Sequence, residues 1–181
     1  YVSGILPGKH KDSKNIILTA HFDSIWTGAD DNASGVTAVL ELARRFSQGT
    51  YTHNIYFVFT GDEEFNYLGV RTFLSDLSEQ GYYITPENTV VINVDSIGQS
   101  HRTVPNITDA ERHSQIWITP ALSQDRQKDP WWKEFVSRYF AESPLPFHID
   151  NEPEIIQAGE ENGYSDAALF ALYDFKALTV S

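Results

Sequence analysis

The apolar residues of the chain come in short runs separated by polar loops, and the spacing alternates between two periods. Ile16-Ile17-Leu18 is a β-branched and aliphatic triplet bounded by polar residues, the pattern of a buried strand. From Val36 the spacing becomes helical: Val36, Val39, Leu40, Ala43 and Phe46 fall on one face of a helix predicted over about Ala33 to Ser47. Gly49-Thr50 closes it. Asn54 to Thr60, NIYFVFT, reads as the next strand, aromatic and β-branched. Leu68 to Leu77 reads as a helix with Leu68, Phe73, Leu74 and Leu77 as its apolar members. Thr89 to Val94, TVVINV, is a further strand ending on Asp95. Before all of these, Tyr1 to Leu6 is strand-like and is closed by Pro7-Gly8.

The second half is less regular. Gln99 to Pro130 is polar with weak periodicity, long for a plain connection, and reads as a surface excursion or a loop that shapes access to a site. His101 and His113 within it read as exposed. Trp131 to Phe140 is helical, with Trp132, Phe135, Val136 and Phe140 as core candidates. A proline-broken loop from Ser143 to Phe147 follows. The acidic runs Asp150 to Glu154 and Glu160-Glu161 read as solvated. Ser165-Asp166 opens a helix, Ala167 to Tyr173, and Lys176 to Ser181 is a last strand. Strands alternating with helices predict an α/β domain with a mostly parallel sheet. The 181 residues suffice for one domain with a real core.

The stretch Thr19 to Gly35, TAHFDSIWTGADDNASG, lies where the first buried strand passes to the first helix. In open α/β sheets that edge is where ligands bind. His21 and Asp23, two apart, leave the same face if the strand stays extended. A carboxylate beside a histidine suits a metal ligand and the group that takes its second ring N–H. Asp30 or Asn32 alone is equally a helix cap. One helix needs one cap, however, not a histidine and three carboxylates. Such a group repels itself unless a cation sits within it. Glu63-Glu64 and Asp95 stand at the ends of two more strands. Parallel strands bring His21/Asp23, Glu63/Glu64 and Asp95 to one edge, so these groups are expected to converge in one crevice. Taken singly, Asp62-Glu63-Glu64 reads as a solvated acidic turn and Asp95 as a turn or cap residue.

Composition narrows the chemistry. Hydrophobic residues make up 41% and charged residues 21%, ordinary for a globular chain. The net charge of −12 argues against nucleic acid or an anionic membrane surface as main partner. There is no cysteine, so zinc here would have to use His, Asp and Glu, the donor set of a catalytic site. No run is long enough to span a membrane. Methionine is absent even at position 1, so the sequence is expected to be a processed or excised piece. Asn106-Ile107-Thr108 fits a glycosylation sequon. A secreted, periplasmic or membrane-anchored ectodomain location is favoured.

At these residues the chain resembles the zinc exopeptidases related to aminopeptidase Y, bacterial leucyl aminopeptidase and glutamate carboxypeptidase, peptidase family M28. The matching pieces are Ala20–Ser24 (AHFDS), Gly28–Gly35 (GADDNASG), Asp62–Glu64 (DEE) with Leu68-Gly69, Asn93–Gly98 (NVDSIG) and Tyr164–Asp166 (YSD). The resemblance implies a mixed, mostly parallel sheet sandwiched between helices, forming a single zinc-peptidase catalytic domain over 1–181 that is incomplete at its C-terminus. It implies two zinc ions: His21 and Asp95 on one, Glu64 on the second, Asp31 bridging both. Glu63 would be the general base toward a zinc-bound water, Asp23 would orient His21, and Asp31–Asn32 would be a cis peptide. The family's second zinc takes a final His from a loop some 25 to 30 residues after the Ser-Asp motif, beyond Ser181; relatives also often have His where Ala167 stands. The implied reaction is hydrolysis of a terminal peptide bond of a peptide substrate, with an aminopeptidase favoured because an acidic crevice suits a free amine. Two alternatives stand beside it. One is a glutaminyl cyclase-like single-zinc acyltransferase, whose fingerprint near Asp31 usually reads DSA. The other is a non-catalytic, peptidase-like binding domain.

Overall fold

The computed structural model describes residues 1–10, 12–80, 83–98, 116–126, 130–140, 147–149, 153–156 and 165–181. His101, His113, the 106–108 sequon, the loop positions 143–146, Asp150, Glu160, Glu161 and Tyr164 lie outside them. The strands are β1 (Val2–Leu6), β2 (Asn15–His21), β3 (Asn54–Thr60), β4 (Thr89–Val94), β5 (Ile116–Ser123), β6 (Phe147–Ile149), β7 (Glu154–Ile156) and β8 (Lys176–Val180). The helices are α1 (Ala33–Phe46), α2 (Leu68–Gln80), α3 (Trp131–Phe140) and α4 (Asp166–Leu172). Among the described residues the strands form one sheet in the order β1-β3-β2-β4-β8-β5-β6, with β7 also on β5. Pairing is parallel except for β1 on β3 and β5 on β8. This is the mixed, mostly parallel sheet expected. No described helix is long and apolar enough to cross a membrane.

Helices cover both faces. Val39 of α1 is fully buried against Leu18, Ala20, Ile55, Phe57 and Val94, with Val36, Ala38, Leu42, Ala43 and Phe46 packed around it. Leu40, expected inward, is exposed, and Leu42 takes its place in the stripe. On the same face α3 packs Val136 on Ile118 and Leu178. Trp132 is buried and Phe135 half-buried, while the Phe140 side chain lies outside the described set. The other face carries Ile17, Tyr56, Val58, Val91 and Ala177 beneath α2 and α4, which bring Val70, Phe73, Leu77 and the run Ala167–Ala171. Leu68, expected in this core, is exposed.

The stretch 99–130 is corrected in one respect: it contains β5, an interior strand between β8 and the pair β6 and β7. The pattern IWITPALS hides it, because a proline argues against an interior strand. The ladder accommodates Pro120: β6 pairs with Ile116–Ile118 and β7 with Ala121–Ser123, so the residue without an N–H falls in the gap between the two. Glu154, expected in a solvated acidic run, instead opens β7 and is half-buried, accepting the Ser165 hydroxyl at 2.9 Å.

The face under α2 and α4 changes character along its length. Its apolar positions Ile17, Val58, Val91 and Ala177 give way, two residues on, to Thr19, Thr60, Asn93 and Thr179, and then to His21 and Asp95. All six of these polar residues are buried. A period of two keeps them on the same face as the core, so the sheet presents a buried polar end where its parallel strands finish. The loop after β3 is pinned there by close backbone packing. The Gly69 N–H donates to Gly61 O at 2.9 Å, and a Cβ on Gly69 would lie 2.6 Å from both the N and O of Gly61. Gly69→Ala is therefore expected to destabilise the fold by about 1–3 kcal/mol, the usual cost of overpacking, seen as a lower thermal midpoint.

Candidate metal centre

Three strand ends deliver the site. β2 ends on His21, paired in register with Thr60 at the end of β3, and Asp95 directly follows β4. His21 is only 1% exposed. Its Nε2 lies 3.0 Å from Asp31 Oδ1 and 3.4 Å from Asp95 Oδ1. Two groups of three side chains bring one donor atom each within 4.8 Å of one another: His21, Asp31 and Asp95, and His21, Glu63 and Glu64. Thus the residues singled out from the sequence do meet in one place. Glu63 is buried and Glu64 half-buried.

The polar run before α1 divides its work by parity. Asn32 is the helix cap: its Oδ1 accepts Gly35 N–H at 3.0 Å. It also accepts Ser96 N–H at 3.3 Å, and its Nδ2 donates to Val94 O at 2.9 Å. Ser34 Oγ accepts Ile97 N–H and Asp30 Oδ1 accepts Gly98 N–H. Asp30, Asn32 and Ser34 therefore clamp the loop after β4, while Asp31 between them turns to His21. The Asp31–Asn32 peptide is cis.

Asp23 meets the His21 ring chiefly through its main chain. The chain leaves β2 at His21, so the nearer partner of His21 Nδ1 is the main-chain carbonyl of Asp23, at 3.1 Å, with the carboxylate 3.6 Å away. That carboxylate accepts Glu64 N–H at 3.2 Å and so ties the histidine loop to the glutamate loop.

One buried carboxylate was not singled out from the sequence as a site residue. Asp166, at the first turn of α4, is fully buried. Its Oδ2 accepts the Thr60 hydroxyl at 2.5 Å, and its Oδ1 has no partner. Neighbouring Ser165 makes no side-chain cap; its hydroxyl bonds Glu154 and accepts from Thr179. In the sequence, Ser-Asp before a helix looks like an ordinary start, and only the lack of any capping bond distinguishes it.

The electrostatics are those of crowded acids. Burial pushes the Glu63 carboxyl up to about 9, and burial raises Asp166 to about 7. Burial likewise raises Asp31 and Glu64, and each feels further negative neighbours, Asp95 for Asp31 and Asp31 for Glu64. Burial opposes charge on His21, but the hydrogen bond and charge of Asp95, with Glu63 and Asp166, carry it up to about 10. Among the described residues no Lys or Arg pairs with any of these carboxylates. Carboxylate oxygens gathered around one imidazole with no basic side chain among them fit a divalent cation, and zinc among the common ones because imidazole suits it.

A pH dependence follows. With no cation, His21 contributes stability below its ordinary value of 6.5 that is lost as pH rises through about 10. Glu63 and Asp166 bind protons more tightly folded than unfolded, so each loses stability from its ordinary value, 4.5 or 3.8, up to about 9 or 7. All three act in one direction. The chelated protein is expected to lose thermal midpoint steadily between about pH 4 and pH 10. Added zinc, which favours the deprotonated donors, should stabilise far more at pH 9 than at pH 5. Thermal scans with chelator and with zinc check this.

A family model described as Peptidase family M28 matches residues 2–181. The BOS complex subunit ncln of Danio rerio is 38% identical over 104 residues, 50% of this chain and 18% of that protein. Aminopeptidase YwaD of Bacillus subtilis is 35% identical over 94 residues, 51% of this chain and 20% of that one. The solved structure of BSAP, a zinc aminopeptidase from Bacillus subtilis, shares the fold with a TM-score of 0.65 at 23% identity, over 98% of this chain and 38% of that one. The chain thus spans about a fifth of the length of these curated relatives. The match over nearly its whole length, on a sheet whose strand ends gather His21 and its carboxylates, shows that the chain belongs to peptidase family M28.

Proposed function

We propose that this chain is the metal-binding core of a zinc-dependent exopeptidase, an aminopeptidase by preference. The observation that carries the reading is the sharing of His21 by two donor groups, one with Asp31 and Asp95, the other with Glu63 and Glu64. In this reading His21 and Asp95 would hold one ion, Glu64 would help to hold a second, and Asp31 would serve both. The position of Asp31, 3.0 Å from His21 and close enough to raise the proton affinity of Glu64, supports the bridging role.

The chemistry bound zinc supplies is Lewis acidity, which polarises the scissile carbonyl and stabilises charge developing on its oxygen. Glu63 takes the proton of the attacking water and returns it to the leaving amine. Burial raises the proton affinity of Glu63 in the metal-free protein, and positive charge held beside it would bring that affinity down toward the working range of a general base. Asp23 holds the pieces in register, its carbonyl on the His21 ring and its carboxylate on the Glu64 amide. The acidity of the crevice suits the free amine of a substrate, which favours an aminopeptidase.

The likeness to a BOS complex subunit favours a second reading, a binding role without hydrolysis. One experiment separates them. The full-length protein is loaded with zinc, its metal content is measured by elemental mass spectrometry, and it is assayed on peptides with free and blocked amino termini and on an N-terminal glutaminyl peptide. About two zinc ions per chain and hydrolysis of the free-amine peptides alone are expected for paired metals. Cyclisation of the glutaminyl peptide at one zinc would replace this reading with the acyltransferase. A folded, zinc-free, inactive protein would leave the binding role.

A further inference from the structure

Asp166 is the most deeply buried carboxylate near the site, and the mechanism above gives it no task. Burying a carboxylate with one oxygen unpartnered is costly. It does not cap its own helix; its bonded oxygen is spent on Thr60. Thr60 stands where the pieces of the site join. Its carbonyl accepts Phe22 N–H at 2.9 Å, directly after His21. Its hydroxyl donates to Asp166. Its next residue, Gly61, is locked against Gly69 at the start of α2. Glu63 follows three residues on, past Asp62 at φ +62°. Downstream, Asp23 grips the Glu64 amide. The glutamate loop is therefore tethered at both ends, by Asp23 beyond Glu63 and by Asp166 through Thr60 before it.

We propose that Thr60 and Asp166 form one positioning unit for catalysis: the Asp166 carboxylate grips the Thr60 hydroxyl and so fixes the strand end from which Glu63 is presented. The inference rests on the hydrolytic reading. Neither residue touches substrate in it; both act through the placement of Glu63, and a base displaced by a fraction of its hydrogen-bond length transfers protons poorly.

The test uses the full-length zinc-loaded protein. Thr60→Val keeps shape and removes the hydroxyl; Thr60→Ser keeps the hydroxyl. Asp166→Ala removes the acceptor; Asp166→Asn keeps one. Thr60→Val and Asp166→Ala are each expected to lower kcat about 10–100-fold, with KM and zinc content unchanged. Thr60→Ser and Asp166→Asn should stay within about threefold of wild type, and the double variant Thr60→Val/Asp166→Ala should be no worse than either single one. Unchanged kcat in Thr60→Val overturns the inference. So do losses that multiply in the double variant, or a fall in kcat that only tracks lost zinc or lost thermal midpoint. If Asp166→Ala does not fold, the Thr60→Val and Thr60→Ser pair decides by itself. An inactive wild type refutes the hydrolytic reading and this inference with it, whereas an active wild type with an indifferent Thr60→Val refutes this inference alone.

Discussion

Glu63→Gln is expected to keep its zinc and to lose about a hundredfold to ten-thousandfold in kcat, the range general acid–base groups contribute. The amide is nearly isosteric with the carboxyl and cannot take a proton from water. Burial raises the proton affinity of Glu63 far above that of a free glutamate, so in the chelated protein the side chain is already protonated at neutral pH and the neutral amide replaces it without adding a buried charge. The variant should therefore be at least as stable as the wild type when chelated. Glu64→Ala should differ in kind, losing metal along with activity. Elemental analysis and thermal scans beside steady-state kinetics separate the two. A Glu63→Gln protein that turns over normally sinks the assignment of Glu63 as base.

Asp31→Ala should have an effect of similar size by another route. Asp31 lies 3.0 Å from His21 Nε2, and its side chain is 55% exposed. Removing it takes a donor from the proposed centre of both ion sites without opening a cavity in the core. Zinc affinity is expected to fall about a hundredfold or more, beyond the usual cost of losing a residue that only supports a ligand. Activity should fall with it, while the chelated protein keeps its thermal midpoint. The neighbouring change Asn32→Ala is the contrast. Asn32 is 1% exposed, caps α1 and holds Val94 and Ser96, so its loss should reach the fold before the metal. Loss of a cap alone costs about 1 kcal/mol. Isothermal titration with zinc distinguishes a lost ligand from a loosened scaffold.

Much of the candidate site was legible because it is written in local patterns. The runs Asn15–His21, Asn54–Thr60 and Thr89–Val94 are apolar enough to be strands on any reading, and each is followed at once by chemistry. Parallel pairing then puts His21, Glu63, Glu64 and Asp95 at one edge with no further information. The parity split that sends Asp31 to His21 and Asp30, Asn32 and Ser34 to the neighbouring loop was not legible. It depends on contacts with the loop after β4, some 60 residues away in sequence.

Local pattern, then, determined the α/β class, the strands that carry the site and the side chains able to hold a cation, because period and residue type act within a few positions of the chain. Tertiary contact decided the rest. Residues 116–123 are a strand because β8 on one side and β6 and β7 on the other supply their ladder, with Pro120 at the gap between them. Leu42 rather than Leu40 faces the core because the sheet beneath α1 sets the rotation of the helix. Asp166 is a buried partner of Thr60 rather than a helix cap because two segments 106 residues apart in sequence meet there. A hydrogen bond at that separation leaves no trace in the spacing of either segment, and only the packing of α4 on the sheet creates it.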